Sequence, residues 1–566
     1  MNQNKLFLLL LLVFGVSCRS VKQQKYSALK SLTTENAMVV SAHPLASEVG
    51  KKILAKGGNA VDAAVAVQFA LAVVYPNAGN LGGGGFMVYR NKEGSVSTLD
   101  FREMAPAAAN RDMYLDEKGE VIPRLSLDGH LAAGVPGSVA GMIQAHKKYG
   151  KLDFKLLLEP AIKLANNGFT ITKQQAEVLN KFKDQFIKLN TTQPVLVKKE
   201  PWKEHDLLIQ KDLAETLRLI RDKGSAGFYE GTTADKIVAE MNAGKGIITH
   251  EDLKNYKAIW RKPITQTYKD FEIYSMPPPS SGGIALGQLL KMVEPYPIAH
   301  WGFQSTKTTH LIAEVERRVY ADRAKHLGDM DFYPVPIKEL LADDYLLQRM
   351  EDFSNNKATN SDDINGGTIA TPESEETTHF SIVDKDGNAV SITTTLNASF
   401  GSKTVVSGAG FLLNNEMDDF SSKPGVPNFY GLIGAEANAI APGKRMLSSM
   451  TPTIVTKNDA LYMVVGTPGG STIITSVFRV FLNIAEFGMT ISEAVQAPRF
   501  HHQWRPDQIF IEKDALSETT RKALEGKGHV VKERSDIGRV EAIHVLPNGK
   551  LSGAADKRGD DSVAGY

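Results

Sequence analysis

Thr377 stands at the most chemically suggestive junction of the chain. Residues 354–376 are rich in Asn, Ser, Asp, Gly and Thr, a composition with little to bury that reads as loop. From Thr377-Thr378-His379-Phe380 onward the pattern reverses. Residues 379–383 read as a strand, Asp386-Gly387-Asn388 as a turn, and 390–395 as a β-branched return strand. Such a junction is a place where a chain could cut itself. A threonine at a strand edge is also simply a good strand former, so the residue alone leaves both readings open.

Three other groups carry chemistry. Gly466-Thr467-Pro468-Gly469-Gly470-Ser471 joins an apolar strand to a long apolar helix, with Ser471 suited to the N-cap. Its glycines let backbone N–H groups approach an oxyanion at a helix N-terminus. Asn414-Asn415-Glu416-Met417-Asp418-Asp419-Phe420 supplies acids for an ammonium, and Lys444-Arg445-Met446-Leu447-Ser448-Ser449-Met450 a cation and hydroxyls for a carboxylate. With Arg102 they would make a receptor for an α-amino acid head, although each alone would serve as an ordinary turn or solvated loop. His501-His502 lacks a spaced third metal ligand. No Gly-x-Ser-x-Gly elbow, His-Glu-x-x-His or Walker loop occurs in the sequence.

Composition narrows the choice. The 566 residues suffice for one large layered core or several domains. Lys plus Arg number 65 against 64 Asp plus Glu, so no global field draws in nucleic acid. Residues 1–17 read as a signal peptide, with Lys5 ahead of an apolar run too short to span a bilayer. The single cysteine, Cys18, follows Gly15-Val16-Ser17, which resembles a loose lipobox, so the chain reads as an exported bacterial protein, either periplasmic or a lipoprotein anchored to the membrane through Cys18. Without a second cysteine the chain forms no internal disulfide, and any side-chain nucleophile of the mature body is an oxygen.

The elements that must position these groups are legible in outline. Residues 46–55 and 61–74 read as helices, the second apolar all round and hence buried. Gly82 to Gly85 read as a close-packed turn leading into a hairpin, 86–90 with 95–101, that ends at Arg102. The middle, about 110–353, reads mostly as helices, and Pro277-Pro278-Pro279-Ser280-Ser281-Gly282-Gly283 as a rigid turn rather than a phosphate cradle. Further hairpins at 452–466 and 540–553 imply antiparallel sheets covered by helices.

The combined motifs resemble one family, the γ-glutamyltranspeptidases, which are N-terminal-nucleophile (Ntn) hydrolases. The resemblance spans 37–566. It rests on Asn80-Leu81-Gly82-Gly83-Gly84-Gly85-Phe86, Asp100-Phe101-Arg102-Glu103, Thr377-Thr378-His379-Phe380, Arg445 with Leu447-Ser448-Ser449-Met450, Pro468-Gly469-Gly470-Ser471, and Ala497-Pro498-Arg499-Phe500-His501-His502. It implies an α+β fold, an αββα sandwich of two antiparallel sheets between helical layers. It also implies self-cleavage between Glu376 and Thr377 into a large (18–376) and a small (377–566) subunit that stay together as a heterodimer. Thr377 becomes the nucleophile, Thr395 its hydrogen-bonded neighbour, and Gly469 and Gly470 the oxyanion donors. Arg102, Ser448 and Ser449 would hold the substrate carboxylate, and Asn397, Glu416 and Asp419 its ammonium. Glu416 departs from the Gln of many bacterial members. Residues 424–435, with Tyr430, resemble a lid. The implied substrates are γ-glutamyl amides such as glutathione, with water, amino acids or peptides as acceptors and neither metal nor organic cofactor. A glutaryl (cephalosporin) acylase on the same scaffold and a non-catalytic exported lipoprotein are the alternatives.

Overall fold

A computed structural model of the chain describes residues 27–364, 377–423, 425–429 and 431–566. The leader with Cys18, Glu376 and Tyr430 lie outside the described residues.

The strands of the two main sheets begin with β1 (Ser31–Thr34), β2 (Met38–Ser41), β3 (Gly84–Arg90) and β4 (Val96–Asp100). After a helical stretch come β5 (Ile259–Arg261), β6 (Ile264–Tyr268) and β7 (Phe271–Ser275). Past the junction lie β8 (Thr378–Val383), β9 (Ala389–Thr395), β10 (Thr453–Lys457) and β11 (Ala460–Gly466). β12 (Glu541–Val545), β13 (Leu551–Ala555) and β14 (Ser562–Gly565) close the set. One seven-stranded sheet runs β14-β2-β8-β9-β3-β4-β5 and the other β1-β13-β12-β11-β10-β7-β6, with antiparallel pairing throughout.

Strand alternation sorts the side chains into layers. Met38, Val40, Phe86 and Val88 of the first sheet meet Ile454, Val464 and Ile543 of the second. Their neighbours Val39, Met87, Phe380 and Ile382 turn outward onto α1 (Pro44–Ala55) and α2 (Ala60–Val74). On the far side Ile273, Val455, Met463 and Val465 pack with α3 (Gly282–Val293), α4 (Thr306–His326) and α5 (Thr472–Ala485). The result is the expected helix–sheet–sheet–helix sandwich. α2 starts at a reciprocal cap, Asp62 N to Asn59 Oδ1 at 2.9 Å and Asn59 N to Asp62 Oδ2 at 3.0 Å. All its residues are buried, as its uniform apolarity required.

The middle of the chain departs from the helical reading at β5, β6 and β7. β5 is the edge of the first sheet, while β6 and β7 extend the second, so the chain changes sheets across Lys262-Pro263. The signal was present in the alternation of 264–275 around Lys269-Asp270, where Lys269 adopts φ 52°.

Candidate active site

β8 and β9 pair Thr378 with Thr394, so Thr377 meets Thr395 one step further. By alternation Thr377 shares the face of His379 and Ser381, which is turned toward the second sheet. Ser381 Oγ donates to Glu541 O at 3.0 Å, and a Cβ on Gly466 would lie 2.3 Å from the His379 ring. Thr377 itself is buried. Around it, Thr395 Oγ1 accepts from Asn397 N at 2.7 Å, and Thr395 O from Asn80 Nδ2 at 2.9 Å. A Cβ on Gly83 would sit 2.0 Å from Thr395 O. The glycine run is therefore there to let β3 approach β9.

Three carboxyls converge on the Arg102 guanidinium. Its Nη1 lies 2.6 Å from Glu416 Oε2 and 3.4 Å from Glu103 Oε2, and its Nη2 lies 2.5 Å from Asp419 Oδ2. Glu416 and Asp419 share a side because 416–419 form a 3₁₀ turn, which repeats every three residues. Asp418 instead accepts from Ser126 Oγ at 2.6 Å and Phe429 N at 2.9 Å. Burial pushes the Glu103 and Glu416 carboxyls above the usual range; Arg102 opposes the shift and the neighbouring carboxylates add to it. Asn397, at φ 74°, is held by its Nδ2, which donates to Asn415 O at 2.9 Å.

The serine pair is held by the Pro-rich turn. Ser448 N donates to Pro279 O at 2.9 Å, and Ser448 O accepts from Ser281 N at 2.8 Å and Ser281 Oγ at 2.7 Å. Lys444 and Arg445, read as cations for a carboxylate, turn away. Lys444 Nζ caps the carbonyls of Ala437 and Ala439, and Arg445 pairs with Asp100 at 2.6 Å. Their place beside the serines is taken by Arg323 of α4, whose Nη2 donates to Ser449 Oγ at 3.1 Å and whose Nε donates to Ser281 Oγ at 3.0 Å. Sequence reading missed Arg323. α4 carries charged residues all round and is buried through most of its length, so no polar face marked one of them out.

Between β11 and α5, Gly469 and Gly470 adopt φ 137° and 54°, conformations open to glycine and strained for other residues. The Gly469 carbonyl accepts from Thr472 N at 2.9 Å and Thr472 Oγ1 at 2.8 Å, turning it into the first turn of α5. Ser471 holds the N-cap position without capping through its side chain; its hydroxyl donates to Gln503 Oε1 at 2.6 Å.

Arg102, Arg323, Thr377, Thr395, Asn397, Glu416, Asp419, Ser448, Ser449 and Gly470 line one pocket with Leu432, Met450 and Ile473, around a space of about 20 Å³. Gly469 is not among the lining residues. A roomier cavity, about 170 Å³ and edged by Tyr75, Phe400 and Arg539, holds none of the candidate catalytic residues. Among the described residues one His/Glu group has ligand-like proximity, His310, Glu314 and His529. Within it His310 Nδ1 meets His529 Nε2 at 2.7 Å, and Glu314 Oε2 pairs with Arg318 at 2.8 Å. His501 and His502 hydrogen-bond to Thr475, Gln503 and Asp507.

The sequence profile described as gamma-glutamyltranspeptidase matches residues 46–566. The chain belongs to this family. A glutathione hydrolase proenzyme of Escherichia coli (strain K12) is 48% identical over 535 residues, covering 94% of this chain and 92% of its own length. An acylase ACY 1 proenzyme of Pseudomonas sp. (strain V22) is 35% identical over 540 residues, 94% of each chain. The crystal structure of a cephalosporin acylase from Bacillus halodurans matches the fold with a TM-score of 0.84 at 27% identity, covering 96% of this chain and 98% of that one.

In this γ-glutamyltranspeptidase-family chain the histidine beside the junction is no base. His379 Nδ1 lies 2.9 Å from Thr393 Oγ1 and Nε2 lies 3.0 Å from Ser381 Oγ, and burial lowers its pKa to about 3. The folded state therefore holds His379 neutral, while the unfolded chain takes up a proton below pH 6.5. The stability this group allows is complete above that pH and declines as pH falls toward 3, by about 1.4 kcal/mol per unit. Urea unfolding at pH 6.5 and 5.5 should show wild type losing more stability than His379→Gln over that interval; equal losses would contradict it.

Proposed function

We propose that the chain is a self-processing γ-glutamyl hydrolase and transferase acting on glutathione-type substrates, with Thr377 as its nucleophile. The observation that carries this reading is that one pocket brings Thr377 together with two guanidiniums, two acids, an amide and a pair of serine hydroxyls suited to an α-amino acid head. In the precursor Thr377 Oγ attacks the Glu376 carbonyl carbon, and the departing Thr377 nitrogen takes up the proton. Water then cleaves the ester, releasing the Glu376 carboxylate and restoring the Thr377 hydroxyl beside its already freed amine, and two associated subunits, 18–376 and 377–566, result.

In turnover that amine takes the Oγ proton as Oγ bonds to the γ-carbonyl carbon of the substrate. The oxyanion rests on N–H groups of the Gly469-Gly470 turn. Its collapse breaks the amide C–N bond, the leaving amine takes the proton, and a γ-glutamyl ester remains on Thr377. Water or an acceptor amine then attacks the ester carbonyl carbon as the Thr377 amine takes its proton; collapse breaks the C–Oγ bond, Oγ takes that proton back, and glutamate or the new γ-glutamyl amide leaves. The substrate head replaces the internal Arg102 pairing charge for charge: its ammonium takes Glu416, Asp419 and Asn397, and its carboxylate takes Arg102, Ser448 and Ser449. Every charge separated is thus paired again, as a buried site demands.

The likeness to cephalosporin acylase keeps a glutaryl amidase as the second reading. A glutaryl group lacks the ammonium and would leave Glu416 and Asp419 beside an apolar methylene. Hydrolysis of γ-glutamyl p-nitroanilide should exceed that of glutaryl p-nitroanilide by at least roughly 10²-fold in kcat/KM. A glutaryl preference would reverse the assignment.

A further inference from the structure

We infer that Arg323 is a second guanidinium of the carboxylate subsite and a specificity residue for the α-carboxylate of the substrate. The inference rests on the γ-glutamyl reading and deepens it. Arg102, the cation expected there, is already surrounded by Glu103, Glu416 and Asp419. Arg323, on α4, lines the same pocket and is 4% exposed. Among the described residues it has hydroxyl partners but no carboxylate ion pair. Burial lowers its pKa to about 10, and Asp419 acts on it only at longer range. A buried cation without a counter-ion is costly, and an anion entering beside it removes that cost.

Hydroxyl polarity strengthens the case. Ser281 Oγ accepts from Arg323 Nε and donates its hydrogen to Ser448 O, so it has no hydrogen left for a carboxylate. Ser449 Oγ also accepts from Arg323, through Nη2, and a hydroxyl carries one hydrogen. With its oxygen engaged, Ser449 presents that hydrogen as a donor, the role a carboxylate requires. Arg323 thereby supplies both the charge and the orientation of the neighbouring hydroxyl.

The test compares substrates that differ only in the carboxylate. Against γ-glutamyl p-nitroanilide, processed Arg323→Gln enzyme should lose roughly 10- to 100-fold in kcat/KM, chiefly through KM, the size expected for one charge-assisted hydrogen-bonded contact. Against 4-aminobutyryl p-nitroanilide, which keeps the amine and lacks the carboxylate, it should match wild type within about 2-fold. Arg323→Lys, which keeps the charge, should recover part of the loss. Equal losses on both substrates, or none on the first, would overturn the inference. Should Arg323→Gln fail to process, calorimetric titration of Arg323→Lys with L-glutamate and 4-aminobutyrate gives the same contrast without turnover. Weakened binding of glutamate alone supports the role, and parallel or absent changes reject it. Failure of the γ-glutamyl reading shows separately, as wild type that binds glutamate but leaves γ-glutamyl anilide intact.

Discussion

Thr377→Ala protein should run as one uncut chain on a denaturing gel and show a fall in kcat for γ-glutamyl anilides on the order of 10⁶-fold. Wild type should resolve into two bands, the smaller beginning Thr-Thr-His-Phe. The argument is one of substitution. His379, two residues on, has both ring nitrogens held by Thr393 and Ser381 and its basicity lowered by burial, so it does not stand in as nucleophile or base. Thr395 Oγ1 is engaged by Asn397 N. Shortening one small buried side chain at the start of β8 costs about 1 kcal/mol, so the protein should still fold and the loss should be chemical. A cut Thr377→Ala chain, or an uncut wild type without activity, would refute the nucleophile assignment; the second result would favour a non-catalytic binding module.

The other large effect should come from a residue with no side chain. Gly469→Ala should lower kcat by ~10²–10³-fold with little change in KM, the pattern for a contact made only in the transition state. At φ 137° an alanine is strained, and its Cβ would sit 2.5 Å from Thr472 Oγ1 and 3.2 Å from Gly538 Cα. Relief of that strain, about 1–3 kcal/mol, must rotate the peptide planes that aim the N–H groups of the turn. Thermal unfolding read alongside separates lost aim from lost fold. A kcat within a few-fold of wild type at unchanged stability would mean that the turn is only a strand-to-helix connection.

The parts of the molecule that sequence revealed are those governed by local rules. α2 announced its burial by being apolar on every side, and the 379–395 hairpin by β-branched runs around Asp386-Gly387-Asn388. Chemical type alone joins Arg102 to the acids of 414–420, whereas Asn397 and the individual roles of Glu416 and Asp419 came through family motifs, since nothing local joins positions 102 and 419. What stayed hidden were long-range choices. That Arg102 would be gripped by the same acids assigned to the ammonium depends on packing across the pocket. Ser471 looked like a cap until Gln503 took its hydroxyl. Arg323 was concealed because α4 is buried by its surroundings rather than by its own apolarity, so its charges find partners one by one across elements distant in sequence.

The strand order of the two sheets has a mechanical consequence for a break at Thr377. Strands from upstream and downstream of that point sit side by side at β14·β2, β2·β8, β9·β3, β1·β13 and β10·β7. These five seams stitch the two lengths together regardless of the bond between 376 and 377. β8, which carries the new end, is clamped by an upstream strand on one side and its own hairpin partner on the other. Severing the chain there would free one amine at the pocket wall and release no strand, so the nicked molecule should resist dilution as a single body and come apart only by unfolding.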